Sequence, residues 1–326
     1  MKSNPFASLY AECNKGNSKE KLGNLPQFPR IIDIELTNVC NFRCLMCPTG
    51  TRMMKRESGY MTEEIFETLI SQIKGKGVGL RFIRWGEPLL HPQFTQFVTR
   101  AKTAGVLCHM NTNGSKMTVE LMKFLCDIGF DSIKFSFQGV DRKSYLEMRN
   151  TDYFDELLKL IQTFYRIRGN RELPYIAVST TITYESKQMV ESFRADLSPF
   201  VDHVGIGYTN LEDMDVSKAK LKEEEEERVL FLKSQQIKFG KHPECPEVFD
   251  KISINFDGSV SACCSDYDNK MIIGDLRESS IGQIWISPVM RHYRELLADM
   301  QHDKIDLCSK CYDVYNPEGP LLGTNS

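Results

Sequence analysis

Short apolar runs alternate with stretches of helical periodicity through the first two thirds of the chain. The runs Ile31–Leu36, Leu80–Ile83, Val106–Met110, Ser132–Phe137, Tyr175–Thr181 and His203–Tyr208 have strand length and lie between turn formers or polar segments. Between them, Thr62 is placed to cap a helix carrying Ile65, Phe66, Leu69, Ile70 and Ile73 on one face. Phe94, Phe97, Val98 and Ala101 mark a second helix, and Thr118 heads a third with Leu121, Met122, Phe124 and Leu125. Val190, Phe193 and Leu197 mark a later one. Buried strands separated by helices predict an α/β fold on a parallel sheet.

The pattern changes after residue 208. Lys222-Glu223-Glu224-Glu225-Glu226-Glu227-Arg228 predicts a solvated helical face. Ile252–Phe256 and Ser259–Cys264 alternate around Asp257-Gly258, a strong hairpin signal. Ser287 and Pro288 then open a helix, expected to carry Val289, Tyr293, Leu296 and Leu297 toward Cys308 and Cys311.

The chemistry lies in the cysteines. Cys40, Cys44 and Cys47 follow the first strand as CxxxCxxC. Four thiolates normally hold a cubane [4Fe–4S] cluster, so three leave one iron open to chelate a small molecule through an amine and a carboxylate. The other reading is a zinc site that borrows a fourth ligand, or cysteines that merely cluster. A second set, Cys245, Cys263, Cys308 and Cys311, lies near the end, with Cys264 adjoining Cys263 as an alternative ligand. A zinc ribbon favours two CxxC pairs, whereas only Cys308 and Cys311 are paired here.

The CxxxCxxC loop, the Arg84-Trp85-Gly86-Glu87-Pro88 segment ending the second strand, and the six βα units together resemble the radical S-adenosylmethionine (SAM) enzymes. The second cysteine set resembles their C-terminal twitch domain, a shortened SPASM domain with one auxiliary [4Fe–4S] cluster. The resemblance implies a partial (β/α)6 TIM-like barrel followed by a small α+β twitch domain made of a β-hairpin plus a helix. It implies Cys40, Cys44 and Cys47 on the SAM-binding cluster and Cys245, Cys263, Cys308 and Cys311 on the auxiliary one. Gly86, Glu87 and Pro88 match the segment that holds the methionine amino group, with Trp85 where the family has its first glycine. Met46 stands where an aromatic more often lies beside the adenine, and a thioether packs there. Ser136 resembles the ribose-contacting position, and Gln138 and Asn113 are further candidates to line the site; capped strand ends are their alternative. The expected division is an extension over 1–30, the barrel over 31–210, a charged helical linker over 211–244, the twitch domain over 245–315 and a tail over 316–326.

Composition bounds the function. Lysine and arginine number 41 against 44 acidic residues, a formal net charge of −3, which gives no broad basic surface for nucleic acid. No apolar stretch approaches the ~20 residues of a membrane span, and the N-terminus has no signal-peptide core, so a cytoplasmic enzyme is expected. In that compartment eleven cysteines argue for metal over disulfides. Cys13, Cys108, Cys126 and Cys264 fall outside the two sets, and Cys108 and Cys126 suit buried apolar positions.

By the resemblance, SAM is cleaved to a 5′-deoxyadenosyl radical that abstracts a substrate hydrogen, and an electron donor such as flavodoxin or ferredoxin is needed. The expected substrate is a sugar or aminocyclitol, possibly nucleotide-linked, and the expected reaction alcohol-to-ketone dehydrogenation with the auxiliary cluster as electron acceptor. Such a step needs a base for the hydroxyl proton, for which Asp266, Tyr267, Lys134 and Arg149 are candidates. The alternatives are a sugar epimerase or dehydratase, a peptide- or protein-modifying maturase, and a non-catalytic iron–sulfur or zinc protein.

Overall fold

A computed structural model describes residues 2–211, 214, 216–235, 239–241, 244–245, 247–311 and 315–317. Its parallel strands are β1 (Ile31–Ile34), β2 (Gly79–Phe82), β3 (Leu107–Thr112), β4 (Ser132–Ser136), β5 (Tyr175–Ile182) and β6 (His203–Tyr208). Each pairs with the next in chain order. Two short helices, α1 (Ala7–Cys13) and α2 (Ser18–Gly23), precede them, and Phe6 is buried against His109 and the glycine that opens β2. The crossovers are α3 (Glu63–Ile73), α4 (Phe94–Thr103), α5 (Val119–Asp127), α6 (Arg142–Arg149), α7 (Phe154–Arg168) and α8 (Lys187–Leu197).

Thr62 and Thr118 cap α3 and α5 through the amides of Ile65 and Leu121, as their positions before the apolar stripes predict. The crossover from β4 to β5 holds two helices for which no expectation was drawn. The apolar buried residues of α7 (Phe154, Leu157, Ile161, Phe164) have ordinary amphipathic spacing, whereas α6 buries Ser144 and Arg149 alongside Tyr145 and Met148, a mixed face with a weaker apolar signal.

Beyond the barrel lie α9 (Glu223–Gln235), β7 (Phe239–Lys241), β8 (Lys251–Ile254), β9 (Ser259–Ser261), β10 (Ile272–Asp275), α10 (Ile281–Trp285), α11 (Pro288–Ala298) and β11 (Tyr315–Pro317). The hairpin around Asp257-Gly258 forms: Asp257 accepts from the Ser259 amide at 3.0 Å, and Gly258 sits at φ +89°. It is not free-standing. β8 pairs in parallel with β1, giving one sheet of nine strands in the order β10-β9-β8-β1-β2-β3-β4-β5-β6.

Ser287 caps α11, and of the expected face Leu297 lines the cavity with Cys308 while Tyr293 and Leu296 pack half-buried against the core. Val289 is exposed and the inward face is Met290, Arg294 and Leu297. The Arg294 guanidinium stacks 3.9 Å from the Trp285 ring centroid and donates to the carbonyls of Val248 (2.9 Å) and Trp285 (2.8 Å). Those bonds tie the helix to the segment that carries Cys245.

Buried aspartates hold the strand starts. Asp131 accepts from the Cys108 amide (2.8 Å), and Asp202 accepts from the Ile176 amide (2.9 Å) while pairing with the buried Arg168. Removing one partner of a buried ion pair costs about 3–5 kcal/mol, because the other charge is stranded. Asp202→Ala should therefore destabilise the fold by about that amount in urea unfolding. A loss under about 1 kcal/mol would show that the pair is dispensable.

Candidate active site

The loop after β1 brings Cys40, Cys44 and Cys47 together. Burial first, with the neighbouring Cys44, Glu87 and Cys47 adding to it, pushes the Cys40 thiol up to about 12. Cys47 is likewise raised, by burial first and then by Cys44. The Phe42 amide donates to the Cys40 sulfur at 3.5 Å and Arg149 donates to the Cys44 sulfur at 3.4 Å. Buried thiols that resist ionisation become ligands when a metal replaces the proton.

Strand β2 ends against this loop. A Cβ on Gly86 would collide with the Thr37 carbonyl and lie 2.9 Å from that of Val39, so glycine is required here by the neighbouring backbone. The Glu87 amide donates to the Val39 carbonyl at 2.9 Å. The Glu87 carboxylate is buried and accepts from the Thr112 hydroxyl (2.7 Å), the Asn113 amide (2.8 Å) and the Leu89 amide (3.2 Å). Burial raises its pKa, and these donors oppose the rise. Pro88 is buried in the turn that Glu87 caps. Trp85 packs edge-on against Tyr267, and its buried indole N–H has no partner among the described residues.

The remaining candidates lie at the ends of β3 and β4. Asn113 is buried, with its side-chain nitrogen 3.1 Å from the Asn41 oxygen and 3.9 Å from the Cys40 sulfur. The Ser136 carbonyl accepts from Arg149. Gln138 donates to Thr181 and, at 2.8 Å, to Thr209. Met46 is half-buried and packs against the apolar group Leu45, Met148, Leu211, Val229 and Leu232, which seats α9 over the cysteine loop.

The second cysteine set lines one cavity. Cys245, Cys263, Cys308 and Cys311 surround it with Val248, Met271, Leu297 and Leu307. Burial pushes Cys245 and Cys308 each to about 12. Cys264 does not line the cavity but stays beside it: its thiol is hydrogen-bonded with Cys263, its sulfur lies 3.6 Å from Glu247, and with Asp33 the three ligating atoms fall within 4.8 Å of one another. Four thiols around an apolar cavity fit an iron–sulfur cluster, and the three-thiol loop fits one with an open iron.

The four base candidates part company here. Asp266 is fully buried and its carboxylate accepts from the Ser261 hydroxyl and the amides of Lys270 and Met271 at 2.8–2.9 Å; it orders the loop and is unsuited to take a proton from substrate. Tyr267 has its pKa raised by burial and then by Asp268, so it stays protonated and is a poor base. Arg149 is committed to Cys44 and to the carbonyls of Ser136 and Phe137. Lys134 is half-buried on β4 and makes no hydrogen bond or ion pair with the described residues. Burial lowers its pKa, the charge on Arg81 lowers it further, and the Asp33 carboxylate opposes the fall.

One group was missed in the sequence. The buried Glu35 accepts both terminal nitrogens of Arg56 at 2.8 Å. Arg84 lies beside Glu35 and reaches the carbonyls of Cys263 (3.1 Å) and Asp266 (2.7 Å). A glutamate inside an apolar strand run was the available signal.

Comparison with known proteins agrees with this geometry. Residues 34–197 match the family model of the radical SAM superfamily, and residues 245–312 that of the SPASM iron–sulfur cluster-binding domain. The chain is 30% identical over 179 residues to the tungsten-containing aldehyde ferredoxin oxidoreductase cofactor-modifying protein of Pyrococcus furiosus, covering 52% of this chain and 48% of that protein. It thus spans about half the length, or less, of the first such relatives. Over 302 residues it is 21% identical to the S-adenosyl-L-methionine-dependent 2-deoxy-scyllo-inosamine dehydrogenase of Niallia circulans, covering 87% of this chain and 93% of that one. Its fold resembles that of Streptococcus suis SuiB bound to S-adenosylmethionine (TM-score 0.65, 17% identity, 86% of this chain and 71% of SuiB). Another SuiB structure holds the precursor peptide SuiA. No described helix is long and apolar enough to cross a membrane. The chain belongs to the radical SAM superfamily: it is an enzyme that uses S-adenosylmethionine and [4Fe–4S] clusters, with a SPASM-type domain at its C-terminal end.

Proposed function

We propose that this enzyme oxidises an alcohol carbon of a sugar or aminocyclitol to a ketone. The observation that carries the reading is the auxiliary cavity: four thiols around one cluster leave no iron open to substrate, which suits it to outer-sphere electron acceptance. Similarity to an aminocyclitol dehydrogenase along nearly its whole length supports the substrate class. When bound, SAM and the two clusters supply a 5′-deoxyadenosyl radical for hydrogen abstraction and a sink for the second electron.

The protein's own residues bind and orient. Cys40, Cys44 and Cys47 hold the first cluster; Cys245, Cys263, Cys308 and Cys311 hold the second, with Cys264 engaged by Glu247 instead. Glu87, fixed by three donors beside Cys40, receives the methionine amino group with Gly86 and Pro88. Met46 packs on the adenine, and Asn113, Ser136 and Gln138 line the nucleoside side. Residues 31–210 then form the catalytic barrel and 245–315 the electron-accepting domain, joined through 211–244. Oxygen-sensitive clusters and a low-potential donor such as flavodoxin or ferredoxin place the enzyme in the cytoplasm. Likeness to SuiB favours peptide modification as the second reading.

Lys134 is the proton acceptor in this scheme. A lysine whose pKa is lowered holds more of its neutral, basic form near neutrality than an ordinary lysine does. Ketone formation should rise with pH on an acid limb centred below the ordinary lysine value of about 10.4. Lys134→Met should cut ketone formation by about 10²-fold or more while SAM cleavage continues. Product formation at the wild-type rate, with the same pH limb, would remove Lys134 from the role.

The reaction itself is tested with 2-deoxy-scyllo-inosamine and related aminocyclitols deuterated at the carbinol carbon. One deuterium should appear in 5′-deoxyadenosine for each ketone formed, with SAM consumed stoichiometrically. An inverted or deoxygenated product moves the assignment to epimerase or dehydratase, and label drawn from a peptide moves it to maturase.

A further inference from the structure

Arg84 stands between the two cysteine sites without belonging to either. Its side chain is fully buried, as is that of Glu35 beside it. It sits at φ +114°, a conformation that a residue with a side chain seldom adopts. Such outliers persist where the surroundings over-determine them, and they gather at functional sites. Its chain neighbours Trp85, Gly86 and Glu87 form the segment proposed for SAM, whereas its guanidinium points to the auxiliary loop and donates to the carbonyls of Cys263 and Asp266.

The charge on this guanidinium is poorly spent on local pairing. Glu35 is already held bidentately by Arg56, and Arg84 Nε lies 3.8 Å from its carboxylate, too far for a hydrogen bond. That nitrogen has no hydrogen-bond partner among the described residues. The Asp266 carboxylate is taken up by Ser261, Lys270 and Met271, and Arg84 meets only its carbonyl. Both hydrogen bonds of Arg84 therefore go to neutral oxygens, and one of these belongs to Cys263.

We propose that Arg84 is a positioning residue that sets the reduction potential of the auxiliary cluster. Its guanidinium is a fixed cation in a water-poor site, where a charge is felt further than in water. Reduction adds one negative charge to a thiolate-bound cluster, and potentials respond to net charge and hydrogen bonding around it. A cation beside Cys263 favours the reduced form. Through it, the strand end that carries Glu87 and the loop that carries the electron acceptor share one rigid contact.

The inference rests on Cys263 being an auxiliary ligand, and the test separates the two claims. The holoenzyme is titrated redox-potentiometrically with EPR detection. The auxiliary signal is the one that added SAM leaves unchanged and that disappears in Cys308→Ala with Cys311→Ala. Arg84→Met should move its midpoint to more negative potential, Arg84→Lys should move it less, and Glu35→Gln should move it to more positive potential. An unchanged midpoint in Arg84→Met at full iron content overturns the proposal. So do shifts of the same sign in Arg84→Met and Glu35→Gln, the result expected of mere loosening. If Arg84→Met does not retain its cluster, the midpoints of Arg84→Lys and Glu35→Gln decide: shifts of opposite sign uphold the proposal, and any other result overturns it. Retention of the auxiliary signal in Cys263→Ala instead overturns the ligand assignment.

Discussion

Two carboxylates, Asp33 on β1 and Glu35 just past its end, are fully buried, and burying a charge is tolerable only when it is paired and hydrogen-bonded. Asp33 is held bidentately by Arg81 from β2 at 2.6 and 2.8 Å, and Glu35 by Arg56 from the loop after the cysteines. Each pairing crosses an element boundary. Asp33 also touches the group containing Glu247 and Cys264, and Arg56 donates to the Tyr267 carbonyl at 2.8 Å. With β2 on one edge of β1 and β8 on the other, these ion pairs draw the segment proposed for SAM, the first cysteine loop and the loop that carries Cys263 into one neighbourhood.

That arrangement makes chemical sense for a reaction needing two electron-transfer partners. The first cysteine loop offers three thiols and the cavity near β9 offers four, so a cluster held by the first would keep an open iron and one held by the second would not. Both are lined by thiols whose ionisation burial opposes, so metal binding and folding are coupled at each. The barrel between them carries Lys134 on the strand that leads to Ser136 and Gln138.

Strands such as β1 and β5 could be read from apolar runs because β-strands buried on both faces are close to continuously hydrophobic, whereas β6, at the sheet edge, is only half-buried. The caps Thr62, Thr118 and Ser287 and the Asp257-Gly258 turn could be read because their signals are local. What escaped depends on distant partners. Arg294 is buried, displacing Val289 from the inward face, because two backbone carbonyls and the Trp285 ring receive it. Gly86 is needed for the Thr37 backbone, a contact made only once β1 and β2 are paired. Asp266 read as a possible base because its three donors, one side chain and two amides, are visible only in the folded loop. The parallel pairing of β8 with β1 leaves no local trace at all.

The claim on which all of this turns is that two separate thiol sets hold two clusters. Iron quantitation with Mössbauer spectroscopy on the anaerobically reconstituted protein tests it directly, comparing wild type with the Cys40→Ala, Cys44→Ala, Cys47→Ala triple variant. Two cubane clusters predict about eight irons in wild type and about four in the variant, with a [4Fe–4S] spectrum retained. Undiminished iron in the variant, or zinc in place of iron at the second set, would contradict the account.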